Sequence, residues 1–278
     1  MIKLVGQIKE SDGFLQLYQH DSEVCDCTMS FSVYLPPQAA QGEVPVVWWL
    51  SGLTCTDENF RVKAGAQRYA AELGIALVIP DTSPRGAQVP DDAAYYLGQG
   101  AGFYVNATQV PWSRHFRMYD YITHELPAAL ATLQLPLSNR QSIAGHSMGG
   151  HGALVVALNN PEKFRSVSAF APICRPMRSF WGNHAFSAYL GENEAAWQPY
   201  DACCLIQQGA AVLPMLVDQG TADEFYPQEL LTEELIAACR GKGFPANIRL
   251  QPGYDHSFHF VATFIGEHLR WHQRFLTV

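Results

Sequence analysis

Short apolar runs alternate with longer amphipathic or small-residue stretches along most of the chain. Six runs of four to six residues have the length and apolar content of buried strands. They lie at 45–50, 75–80, 142–145, 166–171, 213–217 and 248–251. The stretches between and after them predict helices at 60–73, 117–133, 149–159, 230–240 and 260–275. Such alternation of strand and helix is typical of a mainly parallel central sheet with helices on both faces.

The first 35 residues follow a different pattern, in which polar and apolar positions alternate, as from Phe31 to Leu35. This period of two predicts antiparallel strands that extend one edge of the sheet. No linker, repeat or low-complexity segment divides the chain. The pattern therefore predicts a single α/β domain over residues 1–278, with the N-terminal strands of 1–35 as part of it.

The sequence Gly-His-Ser-Met-Gly at 145–149 stands between a predicted strand and a predicted helix. G-x-S-x-G in that context indicates a nucleophile elbow, in which a strained turn exposes the serine hydroxyl. The motif alone also occurs by chance in glycine-rich loops, so the interpretation depends on partners for Ser147. His146 and His151 lie on the elbow itself and cannot easily reach round to the hydroxyl, so we interpret both as packing or hydrogen-bonding residues.

An elbow of this kind predicts a carboxylate and then a histidine in loops after later strands. Asp223 lies in the loop after the strand at 213–217, and His256 lies in the loop after the strand at 248–251. We favour Asp223 as the orienting acid over Asp218, which is in or at the end of its strand. His256 is favoured as the base, with His259 as its near rival.

The same chemistry needs two main-chain N–H donors for the oxyanion. The residue after the nucleophile, Met148, supplies the first. The strongest strand signal ends in a glycine turn, where Leu53 is our choice for the second donor and Gly52 is the alternative. Cys55 follows in the same loop and is interpreted as a thiol close to the site.

Composition limits the partners and the compartment. The formal net charge of −8 disfavours nucleic acid and anionic membrane surfaces, although a small anionic substrate remains compatible with it. No signal peptide or apolar span of membrane length is apparent, and seven cysteines fit reduced thiols better than a disulfide framework. These features predict a cytoplasmic protein. Cys25 and Cys27 have no second ligand pair at zinc-site spacing, so no metal is expected.

Several motifs together resemble S-formylglutathione hydrolases, the esterase D family of α/β-hydrolases. They are Ser-Gly-Leu-Thr-Cys at 51–55, Asp-Thr-Ser-Pro-Arg-Gly at 81–86, the Leu-Gly-Gln-Gly-Ala-Gly-Phe-Tyr loop at 97–104, the elbow at 145–152, Asp-Gln-Gly at 218–220 and Pro-Gly-Tyr-Asp-His-Ser at 252–257. The resemblance spans nearly the whole chain. It implies a cofactor-free cytoplasmic thioesterase of formaldehyde detoxification, and a homodimer. It carries the catalytic roles onto Ser147, Asp223 and His256, the oxyanion donors onto Leu53 and Met148, and the site-proximal cysteine onto Cys55.

The substrate implied by the resemblance makes two further demands on the site. The carboxylates of glutathione would need cationic partners, for which the nearby candidates are Lys63, Arg85 and Arg114. A small acyl pocket would need bulky walls, for which the candidates are Phe103, Trp181 and Phe225. Three alternatives stay open: a carboxylesterase for short-acyl oxygen esters, an acyltransferase with an acceptor other than water, and a binding protein that kept the fold without the chemistry.

Overall fold

A computed structural model describes residues 2–277, so the predicted domain limits at 1 and 278 lie outside the described residues. The described residues form one sheet of nine strands in the order β1-β2-β3-β5-β4-β6-β7-β8-β9. The strands are β1 (Ile2–Glu10), β2 (Gly13–Ser22), β3 (Cys27–Leu35), β4 (Val44–Leu50), β5 (Ala76–Pro80), β6 (Leu137–His146), β7 (Val167–Phe170), β8 (Met215–Gly220) and β9 (Ala246–Gln251).

The sheet is antiparallel at one edge and parallel elsewhere. The antiparallel pairs are β1 with β2, β2 with β3, and β3 with β5. All other neighbours in the sheet, from β5 through β4, β6, β7 and β8 to β9, are parallel. This confirms the predicted fold class. The chain goes from β4 to β5 on one side and then to β6 on the other side of β4. Such a reversal opens a crevice at the carboxyl ends of the two flanking strands, where ligands of α/β proteins usually bind.

Helices cover both faces of the sheet. They are α1 (Asp57–Lys63), α2 (Ala66–Leu73), α3 (Met118–Asp120), α4 (Leu126–Thr132), α5 (Met148–Asn159), α6 (Phe180–Leu190), α7 (Ala202–Gln207), α8 (Thr232–Lys242) and α9 (Phe258–Leu276). One group consists of α9 packed on α1 and α2, and a second consists of α5 with α7 and α8. Trp49 of β4 stacks on Phe60 of α1 at 3.8 Å between ring centroids, which anchors the first group to the sheet.

The helix predicted at 60–73 is wrong as a single element, because the structure has two. α1 ends at Lys63 and α2 begins at Ala66. Between them Gly65 has φ +60°, a left-handed conformation that glycine adopts without a steric penalty and that interrupts a helix. The apolar periodicity continues across the break, so the pattern alone could not reveal it.

The helix predicted at 117–133 is helical but not uniform. Its middle, Tyr121–Glu125, is a π-helical turn between α3 and α4. Pro127 has no N–H to donate to the carbonyl four residues earlier, which belongs to Thr123. That carbonyl accepts a hydrogen bond from Lys163 Nζ at 3.1 Å instead. Lys163 thus supplies this carbonyl with a donor that Pro127 cannot provide.

Two helices, α6 and α7, escaped the sequence pattern. α6 begins at Phe180 after the N-cap Ser179, whose hydroxyl accepts from the Gly182 N–H. The Glu229 carboxylate accepts from the Trp181 N–H at 3.0 Å, so a residue from a different loop satisfies the start of this helix. Its glycine, asparagine and histidine are weak helix formers, and tertiary contacts decide its structure.

Candidate active site

Ser147 lies at the turn between β6 and α5, at the carboxyl edge of the sheet. Its backbone has φ 59° and ψ −121°, a region that residues with a side chain rarely adopt. The residue is 4% exposed. Positive φ at a non-glycine residue is strain that the surrounding structure must hold, and strain of this kind concentrates at functional sites.

The glycines of the elbow are required by close packing rather than by their φ angles. A Cβ on Gly149 would lie 2.0 Å from the Leu50 carbonyl oxygen, and one on Gly145 would lie 2.1 Å from the Gly149 carbonyl oxygen. On the opposite loop, a Cβ on Gly52 would lie 3.0 Å from the Ser147 Cβ. The elbow can therefore pack directly against the end of β4 only because these residues have no side chains.

The structure brings the three side chains that the sequence predicted for catalysis into one hydrogen-bonded chain. The distance between Ser147 Oγ and His256 Nε2 is 2.9 Å, and that between His256 Nδ1 and Asp223 Oδ2 is 2.6 Å. A carboxylate can only accept, so Nδ1 carries the proton and Nε2 is free to accept from the serine hydroxyl. This is the tautomer that a general base for Ser147 requires.

Asp223 is held by two other groups besides His256. The Phe225 N–H donates to its Oδ1 at 2.9 Å, and Gln219 Nε2 donates to its Oδ2 at 3.2 Å. The Gln219 side-chain oxygen in turn accepts from the Thr232 hydroxyl at 3.1 Å. Our sequence interpretation overlooked Gln219. Strand alternation could have identified it, because it points to the opposite face of β8 from its neighbour Asp218.

Asp218, the alternative acid, is engaged elsewhere. Arg249 donates to its two oxygens at 2.6 and 2.5 Å, and His268 Nε2 is 3.1 Å from Oδ2. Burial tends to raise the pKa of this carboxyl, but the hydrogen bonds from His268 and Arg249 outweigh burial and lower it to about 2. Asp218 therefore stabilises the contact between β8, β9 and α9 and makes no hydrogen bond to His256.

The two predicted sources of the oxyanion N–H groups face each other across the elbow. Met148 is the first residue of α5, so its N–H has no acceptor within the helix. Neither Gly52 nor Leu53 has a main-chain acceptor for its N–H within residues 2–277. Both donors that the sequence left open on this loop thus stay available. The Tyr104 hydroxyl donates to the Ser51 carbonyl at 2.9 Å and holds the loop in place.

Cys55 lies just beyond these donors and is nearly buried. Burial raises the pKa of its thiol, and the charges of Lys63 and Arg85 oppose this effect. Its carbonyl accepts from Arg85 Nη2 at 2.9 Å, and its N–H is 3.3 Å from the Gly52 carbonyl. The thiol therefore lies next to the loop of Gly52 and Leu53 and takes no part in the hydrogen-bonded chain of Ser147.

Two of the three aromatic candidates for the acyl wall, Phe225 and Trp181, lie on the side of His256. The Phe225 ring meets it edge-on at 5.0 Å, and Trp181 lies 4.8 Å from Phe225. Phe103, the third candidate for the acyl wall, is completely buried and packs instead against His151 and Phe186. His151 Nε2 is 2.8 Å from the Phe103 carbonyl, which agrees with the packing or hydrogen-bonding role expected for it.

The three candidate cations differ in their partners. Arg85 is paired with Asp81 at 3.0 Å, and Arg114 is paired with Asp26 at 2.5 Å. In the described part of the chain Lys63 has no carboxylate partner. Its ammonium lies 5.9 Å from the centre of the Phe258 ring, two residues after His256.

The rival histidine, His259, is exposed on the first turn of α9, and its main-chain N–H donates to the Ser257 hydroxyl.

Metal-binding clusters and membrane-spanning helices are both absent from the described residues. Across 2–277, no three or more His, Cys, Asp and Glu side chains are grouped so that they could hold a metal ion. No helix in that range is both long enough and apolar enough to cross a bilayer.

Comparisons with known proteins show the family of the chain and similar folds. Residues 22–271 match the family model described as "Putative esterase". An S-formylglutathione hydrolase from Agrobacterium tumefaciens is 46% identical, with a TM-score of 0.96 over 98% of this chain and 99% of that one. A fluorophosphonate-binding serine hydrolase from Staphylococcus aureus is 21% identical, with a TM-score of 0.74 over 94% of this chain and 98% of its own. At that identity the likeness concerns the fold alone.

Proposed function

Because the chain belongs to the esterase family, we propose that it is a thioesterase that hydrolyses S-formylglutathione to glutathione and formate. Family membership makes the chain a serine hydrolase, and the proposal concerns its substrate and the roles of its residues. The reaction would complete glutathione-dependent detoxification of formaldehyde in the cytoplasm. The choice of thioester is supported by the full-length similarity to the Agrobacterium tumefaciens enzyme.

The observation that carries the proposed chemistry is the hydrogen-bonded chain from Ser147 through His256 to Asp223. His256 removes the hydroxyl proton as Ser147 Oγ attacks the formyl carbon. The N–H groups of Leu53 and Met148 then hold the oxyanion of the tetrahedral intermediate. One such donor typically contributes about 3 to 4 kcal/mol to transition-state stabilisation. Asp223 keeps Nδ1 protonated and stabilises the imidazolium while it exists.

Collapse of the intermediate breaks the C–S bond and leaves a formyl ester on Ser147. The leaving thiol has a pKa near 8.5, so it needs less proton donation than an alcohol does. Its sulfur takes up the proton that His256 removed from Ser147, and this returns His256 to the neutral form that can act as a base again. In the second half of the reaction, His256 takes a proton from water and the hydroxide attacks the formyl ester. Formate leaves, and the proton on His256 returns to Ser147. Trp181 and Phe225 are proposed as walls of the small acyl pocket, because the latter contacts His256.

The decisive experiment compares two substrates with purified protein, S-formylglutathione and p-nitrophenyl acetate, with Ser147→Ala as the control for both. We expect a much higher kcat/KM for the thioester and no turnover of either substrate by the variant. Turnover of the oxygen ester alone would support the carboxylesterase alternative instead. Turnover of neither would leave a binding protein as the better interpretation.

Lys63 is the cation that we propose for a carboxylate of glutathione. It is the candidate without a carboxylate partner among the described residues, and its contact with Phe258 brings it close to the loop that carries His256. Lys63→Ala should raise KM for S-formylglutathione about fivefold, the effect of about 1 kcal/mol for an exposed ion pair. KM for p-nitrophenyl acetate, which has no carboxylate, should not change.

A matched control for Lys63→Ala is Lys9→Ala, which removes the same charge from the exposed edge strand β1. It should leave both KM values unchanged, so that a general effect of net charge is excluded. If Lys63→Ala and Lys9→Ala give the same KM for the thioester, Lys63 does not bind this substrate.

A further inference from the structure

His146 is the last residue of β6 and immediately precedes Ser147. Its side chain is buried, with 5% of the residue exposed. The ring centre lies 4.6 Å from that of His256, with the two planes inclined by 41°, and 5.6 Å from that of Phe258. The imidazole of His256 therefore contacts two rings, those of His146 and Phe225, in addition to making its two hydrogen bonds.

The polar atoms of His146 are unusual for a buried side chain. Neither Nδ1 nor Nε2 has a hydrogen-bond partner among residues 2–277. Buried polar side-chain atoms are paired in the large majority of cases, and leaving them unpaired lowers stability. An apolar side chain of similar volume would avoid that cost. The exception therefore calls for an explanation, and its contact with His256 offers one.

Burial holds the pKa of His146 well below its ordinary value, and the charge of neighbouring His256 acts in the same direction. A polar contact with the His256 main chain opposes both effects more weakly, although it lacks the geometry of a hydrogen bond to either ring nitrogen. His146 is thus an uncharged ring at neutral pH. It can stay in contact with His256 when the latter becomes an imidazolium, because it adds no second positive charge.

We propose that His146 is a positioning residue, whose ring holds His256 in the orientation that directs Nε2 at Ser147 and Nδ1 at Asp223. The inference rests on the proposed role of His256 as the general base. Both halves of the reaction use that base, so His146 acts on every substrate alike. A shift of a catalytic group by about 1 Å can reduce the rate by about a hundredfold, which makes the orientation of this ring worth maintaining.

The test measures kcat, KM and the melting temperature of His146→Leu and His146→Phe with both substrates named above. For His146→Leu we expect kcat to fall about tenfold to a hundredfold by the same factor on the thioester and the oxygen ester, with KM unchanged. Its melting temperature should stay the same or rise by about 2 °C, because the unpaired nitrogens are gone. His146→Phe keeps a ring against His256 and should restore most of the lost kcat.

His151→Leu is the matched control on the other side of Ser147. This histidine is also buried, but it is hydrogen-bonded to the Phe103 carbonyl and has no ring contact with His256. The control should lower the melting temperature, because a buried carbonyl loses its partner, and should leave kcat per folded molecule unchanged.

Several results would overturn the inference. For His146→Leu these are a kcat equal to that of the wild type, an effect on KM alone or on one substrate alone, and a loss of kcat that is accompanied by a lower melting temperature. A loss of kcat in His146→Phe as large as that in His146→Leu would also contradict it. Failure of the proposed function is distinguishable from all of these. In that case the wild-type protein itself would not hydrolyse S-formylglutathione, while the comparison of variants on the oxygen ester would still test His146.

Discussion

Asp218 and Asp223 are five residues apart and identical in type, yet their surroundings assign them different tasks. Asp218 accepts from Arg249 and His268, whereas Asp223 accepts from His256 and the Phe225 N–H. The sequence favoured Asp223 from its position in the loop after β8. It could not reveal that Asp218 is already paired, because Arg249 and His268 come from β9 and α9, far along the chain.

Amide substitutions separate the two tasks. Asp223→Asn should lower kcat about ten-thousand-fold with little change in stability, because an amide does not keep His256 in the tautomer that accepts from Ser147. Asp218→Asn should instead lower the free energy of unfolding by about 3 kcal/mol, because it breaks a buried ion pair, and should largely preserve kcat per folded molecule. Steady-state kinetics and urea unfolding of both variants provide the measurements. The reverse pattern would make Asp218 the catalytic acid.

At the scale of elements, the elbow depends on how closely α5 approaches the end of β4. The motif predicts a tight turn with small residues, and the structure adds which atoms approach. Gly149 faces the carbonyls of Leu50 and Ser51, which belong to another strand and its loop. Sequence could predict this element well because its motif is local. It missed α6, whose first turn depends on Glu229 from a remote segment.

Alanine at Gly149 therefore tests the close approach directly. Its Cβ would lie 2.0 Å from the Leu50 carbonyl oxygen, so β4 and α5 must separate. We expect the free energy of unfolding to fall by about 3 kcal/mol or more, with esterase activity lost.

Gly241→Ala is the control for this substitution. Gly241 lies in α8, and a Cβ there would have no heavy atom within 4 Å. It should gain up to about 1 kcal/mol of stability from helix propensity. If alanine has the same effect on unfolding at both positions, close packing is not what requires glycine at the elbow.

At the scale of the whole molecule, a buried polar network joins α9 to three strands of the sheet. Its members are Asp218, His268, Ser168, His272, Ser166 and Ser142, each hydrogen-bonded to the next at 2.7 to 3.1 Å. The sequence interpretation treated both histidines as ordinary surface or core residues. It could not identify the network, since its members are brought together only when β6, β7, β8 and α9 pack.

This network makes stability depend on pH in a predictable direction. Burial, followed by the charge of His268, holds the pKa of His272 well below 6.5. The unfolded chain takes up a proton at this residue below about pH 6.5, and the native state does not. His272 therefore lowers stability as pH falls below 6.5. Burial raises the pKa of Asp81 to about 6 despite the charge of Arg85. The native state therefore takes up a proton at this carboxyl at a higher pH than the unfolded chain does, so Asp81 raises stability as pH falls below about 6.

Because these groups shift stability in opposite directions, the effect of His272 is seen in the difference in unfolding free energy between a variant and the wild type at each pH. His272→Gln should be less stable than wild type at pH 8, since Ser166 and Ser168 lose well-placed partners. That deficit should shrink by as much as about 2 kcal/mol at pH 5, where only the wild-type unfolded chain gains the proton. Ser142→Ala removes a hydrogen bond from the same network without removing a titratable group, so its deficit should be equal at both pH values. Urea unfolding of the three proteins at each pH measures these differences. A deficit for His272→Gln that stays constant or grows on acidification would mean that native His272 takes up the proton too.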